Sequence, residues 1–164
     1  MSPYDTECAN GVRRDVAVSE RPNPDPHTRV GAYALCVDGG RVLLTKVWDG
    51  DIDAGKWHLP GGGVDFGEHP VEAVRRELYE ETGLVGEIGA VVAVSSQRFP
   101  PWRGWGELHS IGMVFDVEAR GEPRVVEVGG STTDACWVPV DEATSLPLTQ
   151  IAREALLTLD GARP

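Results

Sequence analysis

The order of predicted elements points to an α+β fold, a mixed β-sheet sandwiched with helices. Three features carry that reading: strand-like runs that meet in a tight hairpin near the start, one amphipathic helix in mid-chain followed by further strands, and a second amphipathic stretch that closes the chain. Residues 1–28 are polar and punctuated by proline, ending in Arg21-Pro-Asn-Pro-Asp-Pro-His27, and are expected to form a flexible lead-in because proline cannot join a central strand. Residues 29–160 are expected to form a single domain, with no internal repeat.

Each element follows from local pattern. Val30 to Val37 is a strand-like run, Asp38-Gly39-Gly40 has the chemistry of a hairpin turn, and Arg41 to Trp48 returns with Val42, Leu43, Leu44 and Val47. Asp49 to Lys56 reads as a loop. Trp57 to Pro60 is a short strand running into Gly61, Gly62 and Gly63. Pro70 to Thr82 is helical: Val71, Val74 and Leu78 recur at spacings of three and four, Pro70 suits a first turn, and Gly83 suits a C-cap. Leu84 to Val94 and His109 to Val117 read as longer strands joined by a loop rich in Pro, Trp and Gly. Ala135 to Val140 reads as another strand, and Thr149 to Leu159 as a helix with Ile151, Ala155, Leu156 and Leu159 on one side.

Composition narrows the function. A chain of 164 residues fits one domain of about 100–200 residues. Its 26 acids against 15 bases give a net charge of −11, which argues against a nucleic-acid duplex as partner, since such binding rests on Lys and Arg neutralising phosphates. A small phosphorylated molecule remains compatible where a cation or bound metal reverses the sign locally. No run approaches the roughly 18 apolar residues of a membrane span, and Met1 to Glu20 lacks the apolar core of a secretory signal. Cys8, Cys36 and Cys136 are sparse and unpaired in spacing, as expected of reduced thiols in a cytoplasmic protein. A homodimer is left open.

Chemistry concentrates in Gly62 to Leu84. At about 100° per residue, Glu77, Glu80 and Glu81 share one arc of the helix, and two of them sit in the last turn, where the helix dipole disfavours negative charge by about 0.3–1 kcal/mol each. Two answers are available. One is internal: Arg76 lies four residues after Glu72 and four before Glu80, which suits surface ion pairs worth about 0.2–0.5 kcal/mol. The other is a hard divalent cation taking oxygen ligands. The Gly-rich loop Pro60 to Gly63, immediately upstream, either makes a sharp turn or brings backbone groups close to a phosphate or metal.

These residues closely resemble the Nudix box of the MutT-like hydrolases. Gly62, Glu68, Arg76, Glu77, Leu78, Glu80, Glu81, Gly83 and Leu84 fill the pattern without departure. Seven fixed letters at about one in twenty each make a chance match rarer than about one in ten million. Trp57-His58-Leu59-Pro60 resembles the usual approach to the box, and Trp137-Val-Pro-Val-Asp-Glu142 the usual exit, so the likeness spans roughly Val30 to Leu159.

The resemblance implies an α/β/α sandwich about a mixed sheet, with the box as a loop-helix-loop. It also implies a Mg²⁺-dependent pyrophosphohydrolase, with Mn²⁺ as the alternative ion. Such an enzyme cleaves nucleoside diphosphates linked to another moiety X, a nucleotide sugar such as ADP-ribose or a nucleoside triphosphate, into NMP and P-X. On this reading Glu77, Glu80 and Glu81, with the Gly61 carbonyl, hold the metal; Glu77 is ligand or base; and Arg76 orients it. The catalytic set is thus Arg76, Glu77, Glu80 and Glu81, while Glu68 and Gly83 hold the loop and end the helix. Family members often carry a further acid before the tryptophan matching Trp137. The direct count lands near Ser131, so Glu127 and Asp134 are the candidates. A nucleotide-sensing module that binds without hydrolysis is the other class implied, although every box acid is retained.

Substrate choice is less constrained. Trp102 and Trp105 either stack on a nucleobase or pack beneath their loop or at a dimer interface. Pro100 resembles a proline of ADP-ribose-hydrolysing members, and Ser96-Gln97 is a fragment of the motif of NADH-cleaving members. His58, His69 and His109 show no zinc spacing, and Cys136 reads as a small buried hydrophobe.

Overall fold

β1 (His27–Asp38) organises the molecule, because three other strands pair with it. The computed structural model describes residues 24–160, so most of the expected lead-in, up to residue 23, lies outside the described residues, as does Cys8. β1 turns at Gly39 and Gly40, both left-handed at φ 56° and 76°, into antiparallel β2 (Arg41–Val47). Such angles are what a two-residue hairpin demands and what glycine permits. After the loop come β3 (Trp57–His58), paired with β2, and β4 (Gly61–Gly63), paired with β1. Then follow α1 (Pro70–Thr82), β5 (Gly86–Phe99), β6 (Leu108–Ala119), β7 (Thr132–Pro139), α2 (Val140–Ala143) and α3 (Gln150–Asp160).

The sheet is mixed. Its order is β3-β2-β1-β6-β5, with β4 added on β1 and β7 on β2; β1 and β6 run parallel, and the other pairs antiparallel. Alternation along β1 then builds two cores. Ala32, Ala34 and Cys36 face α1 with Leu43, Val74, Leu78 and Phe115, whereas Leu35 faces α3 with Leu44, Trp57, Leu59, Val114, Ile151 and Leu156. Helices therefore cover both faces, the α/β/α layering that the element order and the resemblance predicted.

Several boundaries differ from expectation for physical reasons: β1 begins at His27, inside the expected lead-in to residue 28, because its pairing with β6 starts at His27↔Leu108, and β7 begins at Thr132, ahead of the expected Ala135, because its pairing with β2 reaches Val47↔Thr132. β5 runs past Val94 to Phe99, since ladder pairing with β6 continues to Phe99↔Leu108. The Pro-Trp-Gly segment therefore begins later, and its tryptophans form their own small turn: Trp102 and Trp105 exchange backbone hydrogen bonds. The one-turn α2 was not anticipated, being too short to show a helical period. No helix among the described residues is long and apolar enough to cross a membrane.

Candidate active site

The site is built where α1 meets the glycine strand. His69 caps the start of α1, its Nδ1 accepting the Val71 N–H at 3.2 Å, and Pro70 opens the first turn. Val74 and Leu78 anchor the helix on the β1 face. Continuing their stripe by one turn reaches Glu81, which falls within about 20° of Val74 around the axis. Glu81 is accordingly buried, only 3% exposed.

A buried carboxylate needs donors, and two are present. Gly61 N–H donates to Glu81 Oε2 at 2.9 Å, and the Thr132 hydroxyl donates to Oε1. Burial nevertheless dominates and, with the nearby charges of Glu77 and Glu127, raises its pKa from 4.5 to about 8. Glu77 is pushed upward as well, by burial against the opposing pull of Arg76. Its carboxylate lies directly against Gly62, where a Cβ would meet Oε1 at 2.6 Å, so a side chain at that position would displace it.

Arg76 is the hub. Its Nε and Nη2 donate to the two oxygens of Glu68 at 3.0 Å each, Nη1 donates to Glu77 at 2.8 Å and Glu80 at 3.3 Å, and Nη2 also reaches the Gly63 carbonyl at 3.2 Å. The expected partner Glu72 is not among these bonds. The guanidinium holds Glu68 below its usual carboxylate range, and Glu68 in turn accepts the Asp65 N–H at 2.9 Å, which fixes the loop before the helix.

The helix ends where the acids crowd, and the chain supplies backbone donors there. Gly83 adopts φ 67°, and its N–H bonds to Tyr79 O at 2.7 Å. The segment after β6 then folds back: Arg124 N–H donates to Thr82 O at 2.8 Å, and Val126 and Glu127 N–H both donate to Glu80 O at 3.0 and 2.8 Å. Trp137 pins this segment by donating from Nε1 to Gly121 O at 2.7 Å. The result brings the Glu127 carboxylate into the field of Glu80, Glu77 and Glu81. Asp134, the other sequence candidate, lies on β7 and accepts its neighbour Ala135 N–H at 2.8 Å.

The structure thus gathers Gly61, Arg76, Glu77, Glu80, Glu81 and Glu127. It does not gather the tryptophans: Trp102 lies under the Arg103 guanidinium at 5.3 Å, and Trp105 packs near His27. The three histidines lie on separate elements, as their spacing implied. Sequence reasoning overlooked Thr132, for which no sequence signal exists, and Arg29, whose guanidinium overlies Gly63 and partly offsets the rise that burial gives the Tyr33 pKa.

The donor set suits a hard cation: four carboxylates, three of them with pKa values raised by burial and by one another's charge, clustered beside one arginine. Among the described residues no three of these side chains are drawn into a closed metal shell, because Arg76 stands between Glu77 and Glu80. The carboxylates fit a divalent cation by charge and by chemistry.

Comparison with known proteins gives the same direction. The NUDIX domain family model matches residues 25–159. A MutT-like protein of Streptomyces ambofaciens is 29% identical over 145 residues, covering 88% of this chain and 85% of that protein. The nucleoside triphosphatase NudI of Escherichia coli is 30% identical over 124 residues, covering 73% of this chain and 86% of its own. The crystal structure of a MutT NUDIX hydrolase from Burkholderia pseudomallei superposes with a TM-score of 0.68 at 35% identity, covering 81% of this chain and 98% of that one.

Proposed function

The chain belongs to the Nudix (MutT-like) family of hydrolases, which act on pyrophosphate bonds and generally use divalent metal ions, and we propose that it is a Mg²⁺-dependent pyrophosphohydrolase. Its substrate in this reading is a nucleoside diphosphate carrying a further group X, either a nucleoside triphosphate or an ADP-ribose-type nucleotide sugar. The products are NMP and phosphorylated X. The similarity to a nucleoside triphosphatase over most of the chain favours the triphosphate.

The observation that carries the proposal is the clustering of Glu77, Glu80, Glu81 and Glu127 beside Arg76, with Glu81 buried. Glu77, Glu80 and Glu81, with Glu127 and the Gly61 carbonyl, would hold the ion. When bound, it neutralises phosphate oxygens and acidifies a water. Arg76 keeps the Glu77 and Glu80 carboxylates in place for substrate after substrate, so their orientation needs no reorganisation during reaction. Glu77, whose pKa burial raises, takes the proton of the attacking water. The water oxygen bonds to phosphorus, the bridging P–O bond breaks, and the departing phosphate leaves with that electron pair. Arg29, over Gly63 at the mouth of the site, offers the anionic chain a positive counterpart.

The test is turnover of a nucleotide panel by the purified protein with Mg²⁺ and with chelator, products separated by chromatography. Metal-dependent release of NMP is the expected result. Tight binding with the nucleotide left intact would overturn the proposal in favour of a sensing module.

A further inference from the structure

The outer face of α1 has no part in the proposed reaction. Glu72, Arg75 and Tyr79 share an arc of about 60° there, turned away from the buried Val74 and Leu78. All three are exposed, and among the described residues neither Glu72 nor Arg75 makes an ion pair. The Glu72–Arg76 pairing that the spacing allowed is not made, because Arg76 is taken up by Glu68, Glu77 and Glu80.

The two ends of this face differ in shape. At the N-terminal end, four residues ahead of Pro70, Phe66 is fully exposed. The turn that carries it is clamped: Glu68 N–H donates to Asp65 O at 3.0 Å, Asp65 N–H donates to Glu68 Oε2 at 2.9 Å, and Gly67 takes φ 82°. A large ring already held out on an ordered turn costs little further entropy to bury. At the C-terminal end lies a groove of about 500 Å³, lined by Tyr79, Gly83, Pro123, Arg124 and Val126 among others. The backbone bonds from Arg124 to Thr82 O and from Val126 to Glu80 O hold its far wall against the helix. Exposed Val85 and Val128 follow two residues after Gly83 and Val126 in the chain.

We propose that this face joins two copies of the chain about a two-fold axis, α1 antiparallel to α1, with Phe66 of each copy seated in the groove of the other. Knob and recess lie at opposite ends of one helix, so the surface complements itself only when the second copy runs the other way, as a two-fold axis requires. Charge fixes the register. Setting Glu72 opposite Arg75 of the second copy forms that pair twice, and it brings Phe66 level with residue 81, between the groove residues Tyr79 and Thr82. Each seated ring buries about 150–250 Å². With the helix face between them, the contact falls at the low end of specific interfaces, about 1,200 Å² or less, as suits a weak dimer. Arg76 and Glu80 lie about 40–80° round the axis from Glu72, on the side away from Arg75, so the acids stay open to substrate.

The experiment is sedimentation equilibrium of the full chain between about 1 and about 200 µM. Wild type is expected to pass from monomer to dimer within that range. Glu72→Arg sets arginine against arginine twice, and Arg75→Glu sets acid against acid twice, so each alone should weaken association about tenfold or more. Mixing the two variants restores both pairs in the mixed dimer, so association should return although neither protein associates alone. Phe66→Ser should also weaken association about tenfold or more, with an unchanged circular dichroism melt showing that the fold is kept. A wild type that stays monomeric throughout, a mixture that stays monomeric, or a dimer indifferent to Phe66→Ser, as one formed through the exposed valines of β5 would be, overturns the proposal.

Discussion

Replacing Glu81 by Gln separates the burden this residue places on the fold from its use. Its folded pKa, about 8, lies above the ordinary 4.5. The native state therefore binds a proton that the unfolded chain releases between those values. With more protons bound in the native state, unfolding free energy falls as pH rises from about 4.5 to about 8 and is level outside that window. At about 1.4 kcal/mol per unit, the full displacement sets a ceiling of about 5 kcal/mol, which relaxation and water entry reduce to a few kcal/mol. Glutamine keeps the shape and the acceptor for Gly61 N–H but never ionises, so metal-free Glu81→Gln protein should lack this loss. Urea unfolding followed by tryptophan fluorescence at pH 5.5 and pH 8.5, in chelator and in Mg²⁺, measures it. Wild type should lose a few kcal/mol on going to the higher pH in chelator and regain most of it with Mg²⁺, whereas the variant should respond to neither pH nor Mg²⁺ through this site. Parallel behaviour of the two proteins would refute the reasoning.

Three further outcomes follow from the same contacts. Arg76→Lys keeps a positive charge but loses the fork that spans Glu68, Glu77 and Glu80, so kcat/KM should drop about tenfold to a hundredfold in steady-state assays. Gly61→Ala should destabilise by about 3 kcal/mol or more in thermal unfolding, because the residue sits at φ 147° and a Cβ would lie 2.6 Å from Tyr33 Cα. Glu127→Gln should lower kcat about a hundredfold with little change in melting temperature, while Asp134→Asn should leave kcat nearly intact; the reverse pattern would reassign the fourth acid.

The sequence disclosed the layers because its periodic elements are long: β1, β6 and α1 each bury one face, and burial writes a period into the chain. It disclosed the acids because Glu77, Glu80 and Glu81 share one arc of a single helix. What it could not disclose depends on contacts distant along the chain. Glu127 reaches Glu80 through two backbone amides that no side chain announces, and Thr132 meets Glu81 across 51 positions. His58 offered no zinc spacing, and its ring is held by the next residue's N–H and by Thr149, 91 positions away. The different fates of Glu77, Glu80 and Glu81 were nearer to hand: placing Val74, Leu78 and Glu81 on one wheel already turns Glu81 inward.

That inward turn also explains how a helix tolerates acids at its negative end. Three loop amides from Arg124, Val126 and Glu127 satisfy Thr82 and Glu80 carbonyls, which blunts the dipole where it would repel carboxylates most. The same three bonds carry Glu127 toward the cluster, adding a negative charge to the group whose repulsion they ease. Structural capping and site assembly are therefore one device. Surface ion pairing alone accounts poorly for it, since Arg76 already pairs with Glu77 and Glu80 and the loop still brings a fourth carboxylate. An external cation would relieve the repulsion that Arg76 leaves, and that is the physical ground on which these acids are proposed as a metal site.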